Sequence, residues 1–116
     1  MSGTDEILIR ALKTPGDMAA AEELQQEVWG SPDREVVPVV ELVSAATAGG
    51  CVAGAFEGDA MVGFVYGIWG LRDARFYHYS RMLAVTKRLR GRGLGLRLKL
   101  YQREHTLGRG VNLMRW

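Results

Sequence analysis

The sequence predicts one mixed α/β domain over residues 1–116, a mostly antiparallel sheet with flanking helices. Three observations predict it. Apolar residues recur at helical spacing in some segments. Other segments, interleaved with these, alternate or run apolar in the manner of strands. Some neighbouring strands are joined by a tight turn and others by a helix, which argues for a mixed sheet over a purely parallel one. The order read along the chain is β-α-α-β-β-β-α-β.

Glu6 to Leu12 reads as the first strand, with Ile7, Ile9 and Ala11 on one face. Thr14-Pro15-Gly16-Asp17 then has the form of a helix start. Thr14 caps, Pro15 suits the first helical position and Asp17 stands at the capping-box place. Met18, Ala21, Leu24 and Val28 follow at helical spacing, and Gly30 ends the run. A second helix is expected from Pro38 to Ala48, with Val39, Leu42, Val43 and Ala46 as its apolar stripe. Cys51 to Phe56 and Met61 to Trp69 form a hairpin through the turn Glu57-Gly58-Asp59-Ala60. Phe76 to Val85 reads as a longer strand and Gly110 to Trp116 as the last one.

Leu94 to Leu107 reads two ways. Leu94, Leu96, Leu98 and Leu100 alternate like a strand. Leu89 to His105 nevertheless contains no Val, Ile or Thr, and its Leu, Arg, Lys, Gln and Glu favour a helix. The expectation is a helix with two apolar stripes. Leu94, Leu98 and Tyr101 form one; Leu96, Leu100 and Leu107 form the other, and both should be covered.

The formal net charge of +2 hides an asymmetry. Residues 1–70 carry 3 basic and 11 acidic side chains, a balance of −8, and residues 71–116 carry 12 basic and 2 acidic, a balance of +10. The second half is suited to meet an anion. No apolar run approaches the ~18–20 residues of a membrane span, and the polar, acidic start is not a signal peptide. The lone Cys51 forms no internal disulfide, so a buried structural thiol and a cytoplasmic, reducing setting are expected. No Cys/His cluster has metal-ligand spacing, so no metal is expected.

The chemistry concentrates between Met82 and Gly95. An apolar strand runs into a loop with Gly91, Gly93 and Gly95, and a helix follows at once. Glycines let a ligand approach the backbone, and the first N–H groups of a helix have no internal partner. The helix dipole adds positive potential there, as do Lys87, Arg88, Arg90 and Arg92. Together these predict a phosphate cradle. The spacing of the glycines does not fit the Rossmann fingerprint, and no Gly-Lys-Ser/Thr follows them as a P-loop requires.

Arg90-x-x-Gly93-x-Gly95, after an apolar strand and before a helix, resembles the coenzyme A signature of the GNAT superfamily, Gln/Arg-x-x-Gly-x-Gly/Ala. The element order is similar to the first three-quarters of that fold. The resemblance implies an acyltransferase that moves an acetyl or other short acyl group from acyl-coenzyme A to a primary amine, such as that of an amino acid. It implies that Leu83 and Val85 offer backbone groups to the pantetheine. It implies that backbone amides of Arg90, Gly91, Arg92, Gly93, Leu94 and Gly95 bind the pyrophosphate. The acyl group would lie where the strands Phe76–Val85 and Gly110–Trp116 splay apart. A full domain of that family continues with a helix and two more strands, and its later helix often carries a tyrosine that protonates the leaving thiolate. No such tyrosine can be assigned here, and the chain is expected to be a fragment of a longer protein, truncated after the fifth strand.

Attack of an amine on a thioester needs a base. His78, on the central strand upstream of the cofactor segment, is the candidate, since its ordinary pKa near 6.5 suits the role. Ser80 shares its face in a regular strand. His105 is expected to face solvent. Trp69, Phe76, Tyr77 and Tyr79 are expected as sheet core around a solvated turn at Arg72-Asp73-Ala74-Arg75. Two alternatives stand beside the enzyme. One is a basic module contacting nucleic acid through Arg81 to Arg109, although no known nucleic-acid motif is present. The other is a catalytically inactive fragment that still binds coenzyme A. A homodimer is expected, formed through the terminal strand or the leucine-rich helix, with exchange of an element between chains as one route.

Overall fold

A computed structural model of the chain describes residues 6–30 and 36–116. Its elements are β1 Leu8–Ala11, α1 Pro15–Trp29, α2 Val39–Thr47, β2 Cys51–Glu57, β3 Ala60–Arg72, β4 Arg75–Val85, α3 Leu94–Gly108 and β5 Met114–Arg115. The five strands lie in the order β1-β2-β3-β4-β5. All pairings are antiparallel except β4–β5, which is parallel and bridged by α3. The mixed, mostly antiparallel class read from the sequence is the one observed.

The sheet is buried on both faces. Met18, Leu24 and Val28 of α1 and Leu42 and Ala45 of α2 pack on Val52, Phe64, Tyr66 and Ala84. Leu94 and Leu98 of α3 pack on the other face against Cys51, Ala53, Ala55, Val62 and Val65. The capping box of α1 forms as expected. Thr14 Oγ1 accepts from Asp17 N–H at 3.0 Å, and Asp17 Oδ2 accepts from Thr14 N–H at 3.4 Å. Gln25, fully buried on α1, exchanges two hydrogen bonds with the backbone of Val37 and so pins the approach to α2.

Four expectations need correction. In α2 the buried arc centres on Leu42 and Ala45, while Val43 is exposed. Val43 lies about 100° round the helix from Leu42, at the margin of a short contact. The last strand is two residues, not seven. Gly110, at φ 80, and Val111 instead close the end of α3 by donating to Leu107 O and Thr106 O. The β3–β4 hairpin runs out to a two-residue turn, Asp73-Ala74, in which both residues have positive φ (52 and 62). Beside this turn Leu71 and Phe76 are exposed, and Trp69, Tyr77 and Tyr79 are only half-buried rather than core. Finally, α3 is covered on one side alone: Leu94 and Leu98 are buried, but Leu96, Leu100 and Leu107 are exposed. Among the described residues, no helix is long and apolar enough to cross a membrane.

Candidate functional site

β4 pairs with β3 along its length but with β5 only at His78 and Tyr79. Met82 lies opposite Tyr66 and Ser80 opposite Gly67, so Arg81 is an extra residue, a β-bulge. The bulge changes which residues face the open edge. Thr86 N–H donates to Val62 O at 2.9 Å. Residues alternate along an antiparallel ladder, so Met82 and Ala84 turn their backbone groups to β3, and Leu83 and Val85 turn theirs outward. Upstream of the bulge it is His78 that faces outward, donating its N–H to Leu113 O at 2.9 Å. β5 therefore fills the edge as far as Tyr79 and leaves it open at Leu83 and Val85. The Val85 carbonyl accepts from Arg90 Nε at 3.2 Å.

A 3₁₀ turn, Lys87–Leu89, carries the chain from β4 to α3 and buries Leu89. Arg90 N–H bonds Lys87 O at 3.2 Å, so that amide is occupied internally. From Gly91 to Leu96, no backbone N–H has a hydrogen-bond acceptor among the described residues, and the first helical bond runs from Arg97 N–H to Gly93 O at 3.1 Å. The free amides thus begin one residue later than the resemblance implied. Gly91 and Gly93 have φ of 78 and 84, which only glycine adopts readily. A Cβ at either would meet nothing within 4 Å, so the space above this backbone is open. Gly95 differs: a Cβ there would rest in ordinary contact, 3.7 Å from Leu83 Cδ2.

The cap residue of α3 is Gly93, which has no side chain to satisfy these amides, and the first turn holds no acidic residue. Lys87, Arg90 and Arg92 are exposed around it, and Lys87 and Arg92 make no ion pair among the described residues. Arg88 is turned away into an ion pair with Glu57. Arg97 donates to Ile7 O at 2.8 Å and ties α3 to the start of β1. A run of free N–H groups at a helix N-terminus, with cations beside it, can hold a multiply charged anion such as a pyrophosphate.

His78 occupies a different setting from the one its role as a base requires. It is fully buried beneath α3. Gln102 Oε1 accepts from Ser80 Oγ at 3.0 Å, so the Gln102 amide nitrogen donates to His78 Nε2, also at 3.0 Å. The imidazole proton then sits on Nδ1, which is buried without a hydrogen-bond partner among the described residues. Trp69 stands edge-on to the ring, centroids 4.9 Å apart. Burial first, and the nearby His105 second, lower the His78 pKa to about 4. His78 is therefore neutral at pH 7. Gly67 faces this cluster, and a Cβ there would stand 2.2 Å from His78 Nε2.

Gln102 was not foreseen, yet a signal for it exists. Leu94, Leu98, Gln102 and Thr106 share one stripe at i+4 spacing, and all four are buried. A polar residue on a buried stripe demands a partner. His105, expected in solvent, is half-buried, with Nε2 at 3.0 Å from Gly49 O and its ring 6.1 Å from that of Trp69. Cys51 is buried as expected, and burial pushes its thiol up to about 12. No group of three or more His, Cys, Asp or Glu side chains suited to a metal ion is found among the described residues.

No family profile matches the chain, and no curated protein does. Solved structures do. An acetyltransferase from Trypanosoma brucei is 20% identical, with a TM-score of 0.70 over 93% of this chain and 80% of that one. An aminoglycoside acetyltransferase from an uncultured soil metagenomic sample, crystallised with trehalose, is 16% identical, with a TM-score of 0.78 over 95% of this chain and 76% of that one. A transcriptional regulator from Bacillus halodurans is 18% identical, with a TM-score of 0.75 over 94% of this chain and 79% of that one. At these identities the likeness shows the fold, which is the GNAT acyl-coenzyme A N-acyltransferase fold.

Proposed function

We propose that this chain is a GNAT-superfamily acyltransferase that carries acyl-coenzyme A along β4 and transfers the acyl group to a primary amine. One observation carries the reading. The free amides from Gly91 to Leu96 adjoin the open β4 edge at Leu83 and Val85. A pyrophosphate on those amides sets a pantetheine arm along that edge, where the outward backbone groups pair with its amides as a strand would. Acetyl-coenzyme A is the donor this reading favours, and the cytoplasm, which holds that donor, is the setting. The names of two neighbours, both acetyltransferases, support it.

In the reaction the amine nitrogen attacks the thioester carbonyl carbon. The carbon–nitrogen bond forms, the carbon–sulfur bond breaks and the sulfur leaves as a thiolate. The proton shed by the nitrogen balances the one the thiolate regains. His78 enters as a positioning residue, not as the base. With a pKa of about 4 it is a weak acceptor for an ammonium proton, and it is sealed under α3. Through Gln102 it holds α3, and thereby the cradle, in register with β4.

Calorimetric titration with acetyl-coenzyme A tests the reading, and micromolar binding is expected. Arg90→Ala should weaken coenzyme A by about tenfold or more, since a charged hydrogen bond contributes roughly 1.5–3 kcal/mol. A pantetheine derivative without phosphates should lose far less. Equal losses for both ligands would show that Arg90 acts only through its bond to Val85, and absence of acetyl-coenzyme A binding would end the proposal.

A further inference from the structure

The β4 bulge does more than open an edge. It places Arg81 and Met82 in succession on the face of the sheet that carries α1 and α2. Met82 packs into the core there, and the Arg81 guanidinium lies 5.7 Å from the centre of the Tyr79 ring. Met82 is the register partner of Tyr66. Tyr66 is almost wholly buried, and its hydroxyl reaches out to donate to Glu41 Oε1 at 3.2 Å. Glu41 stands in the first turn of α2. Burial first, and the Glu41 carboxylate next, raise the Tyr66 hydroxyl to about 12, and the Arg81 charge works against that rise.

Glu41 and Arg81 are exposed, and they make no ion pair with each other or with any other described residue. A carboxylate held by the Tyr66 hydroxyl and a guanidinium on the neighbouring bulge, unpaired with each other, offer the two ends of a zwitterion one partner each. Their position matters. The acyl group of a donor lying along β4 comes to rest upstream of Leu83, because β5 blocks the edge from Tyr79. Val85 to Arg81 spans about 13 Å of strand, from the end beside the phosphate cradle to the bulge. The two charges therefore stand where the thioester arrives.

Resting on the acyltransferase reading, we propose that Glu41, held by the Tyr66 hydroxyl, and Arg81, on the β4 bulge beside the register partner of Tyr66, form the acceptor subsite and select a small α-amino acid. The Glu41 carboxylate receives the ammonium group, and the Tyr66 hydroxyl holds that carboxylate in place. The Arg81 guanidinium receives the carboxylate of the substrate, for which its planar fork is the matching donor. An amine without an acidic group satisfies only one side.

The test compares free α-amino acids with their decarboxylated amines and with diamines, using acetyl-coenzyme A as donor and measuring donor affinity separately by calorimetry. The wild-type protein should favour the amino acid in kcat/KM. Arg81→Ala should lower the ratio of amino acid to plain amine by about tenfold or more, the size of one charged hydrogen bond. Arg81→Lys should recover part of that ratio, and Arg81→Glu should turn the preference toward a diamine. Tyr66→Phe keeps the ring in the core and should raise KM more than it lowers kcat. Failure of acetyl-coenzyme A to bind would remove the acyltransferase reading itself. Normal donor binding with an unchanged ratio in Arg81→Ala, or with no acetylation of any amino acid, would overturn the subsite and leave the donor site standing.

Discussion

α1 and α3 are each 15 residues long, and their N-termini are used in opposite ways. At α1 the protein supplies its own anion. Asp17 accepts from the amides of Lys13 and Thr14 and takes both ends of the Arg10 guanidinium, at 2.8 and 3.1 Å. Arg10 first, and then the backbone donors, hold the Asp17 carboxyl well below the usual range. At α3 there is no capping side chain and no acid, only glycine backbone and exposed cations. The same partial charge closes a structural joint in one helix and is left without a side-chain cap in the other, where we propose that an outside anion binds. A capped end stabilises the fold, and an uncapped one among cations marks a place where some stability has been left to a ligand.

The comparison breaks most sharply if α3 is made to resemble α1. Gly93→Asp puts a carboxylate at the open end. Aspartate is among the few side chains that tolerate positive φ, whereas valine at φ 84 would strain the backbone and confuse the outcome. Acetyl-coenzyme A affinity should fall by roughly 100-fold or more, through like-charge repulsion and a filled cradle, with stability changed by no more than about 1 kcal/mol. A folded Gly93→Asp protein that binds coenzyme A normally would show that this helix end is not the cradle.

The reverse change sharpens it. Asp17→Ala should cost about 1–2 kcal/mol of stability by denaturant unfolding, as the loss of a cap does, and leave coenzyme A affinity alone. The pH dependence carries a definite sign. The folded pKa of Asp17 lies below its unfolded value, so its contribution is present above the unfolded pKa of ~3.9 and is lost as pH falls toward the folded one. The acid limb of the stability curve should therefore flatten in Asp17→Ala, and an unchanged limb would count against the assignment.

The smallest expected effect concerns the outer faces. α1 presents Glu23 and Glu27 to solvent, while α3 presents Leu96 and Leu100. Replacing both leucines by glutamate should alter monomer stability by less than about 0.5 kcal/mol, since neither is part of the core. We propose that wild-type protein self-associates through this stripe, as the sequence led us to expect. Light scattering should then show a dimer that the double variant loses, and a wild-type monomer across the micromolar range would refute the dimer.

Much of this was legible in the residues themselves. Thr14-Pro15-Gly16-Asp17 announces a capped helix through local hydrogen bonding. Gly91-Arg92-Gly93 announces an open glycine turn among cations because its backbone angles and its charge are local properties. The Leu94–Leu100 run reads as helix once propensity is weighed against alternation. The turn chemistry at Gly58 and the apolar strands around it placed the central hairpin. All of these depend on residues close in sequence, so the chain by itself determined the fold class, the order of elements and the uncapped, cation-flanked start of α3.

The remainder depended on contacts between distant segments. A one-residue bulge at Arg81 leaves no trace in composition, because it arises only when Met82 pairs with Tyr66 and Ser80 with Gly67. That register decides that Leu83 and Val85 face the open edge and that Arg81 stands on the bulge beside Met82, the partner of Tyr66. His78 has the residue type of a base, but α3 descends on it, and burial against Gln102 makes it a neutral fixture. Protonation, exposure and strand phase are set by what packs above and beside a residue. Only the tertiary structure could decide them.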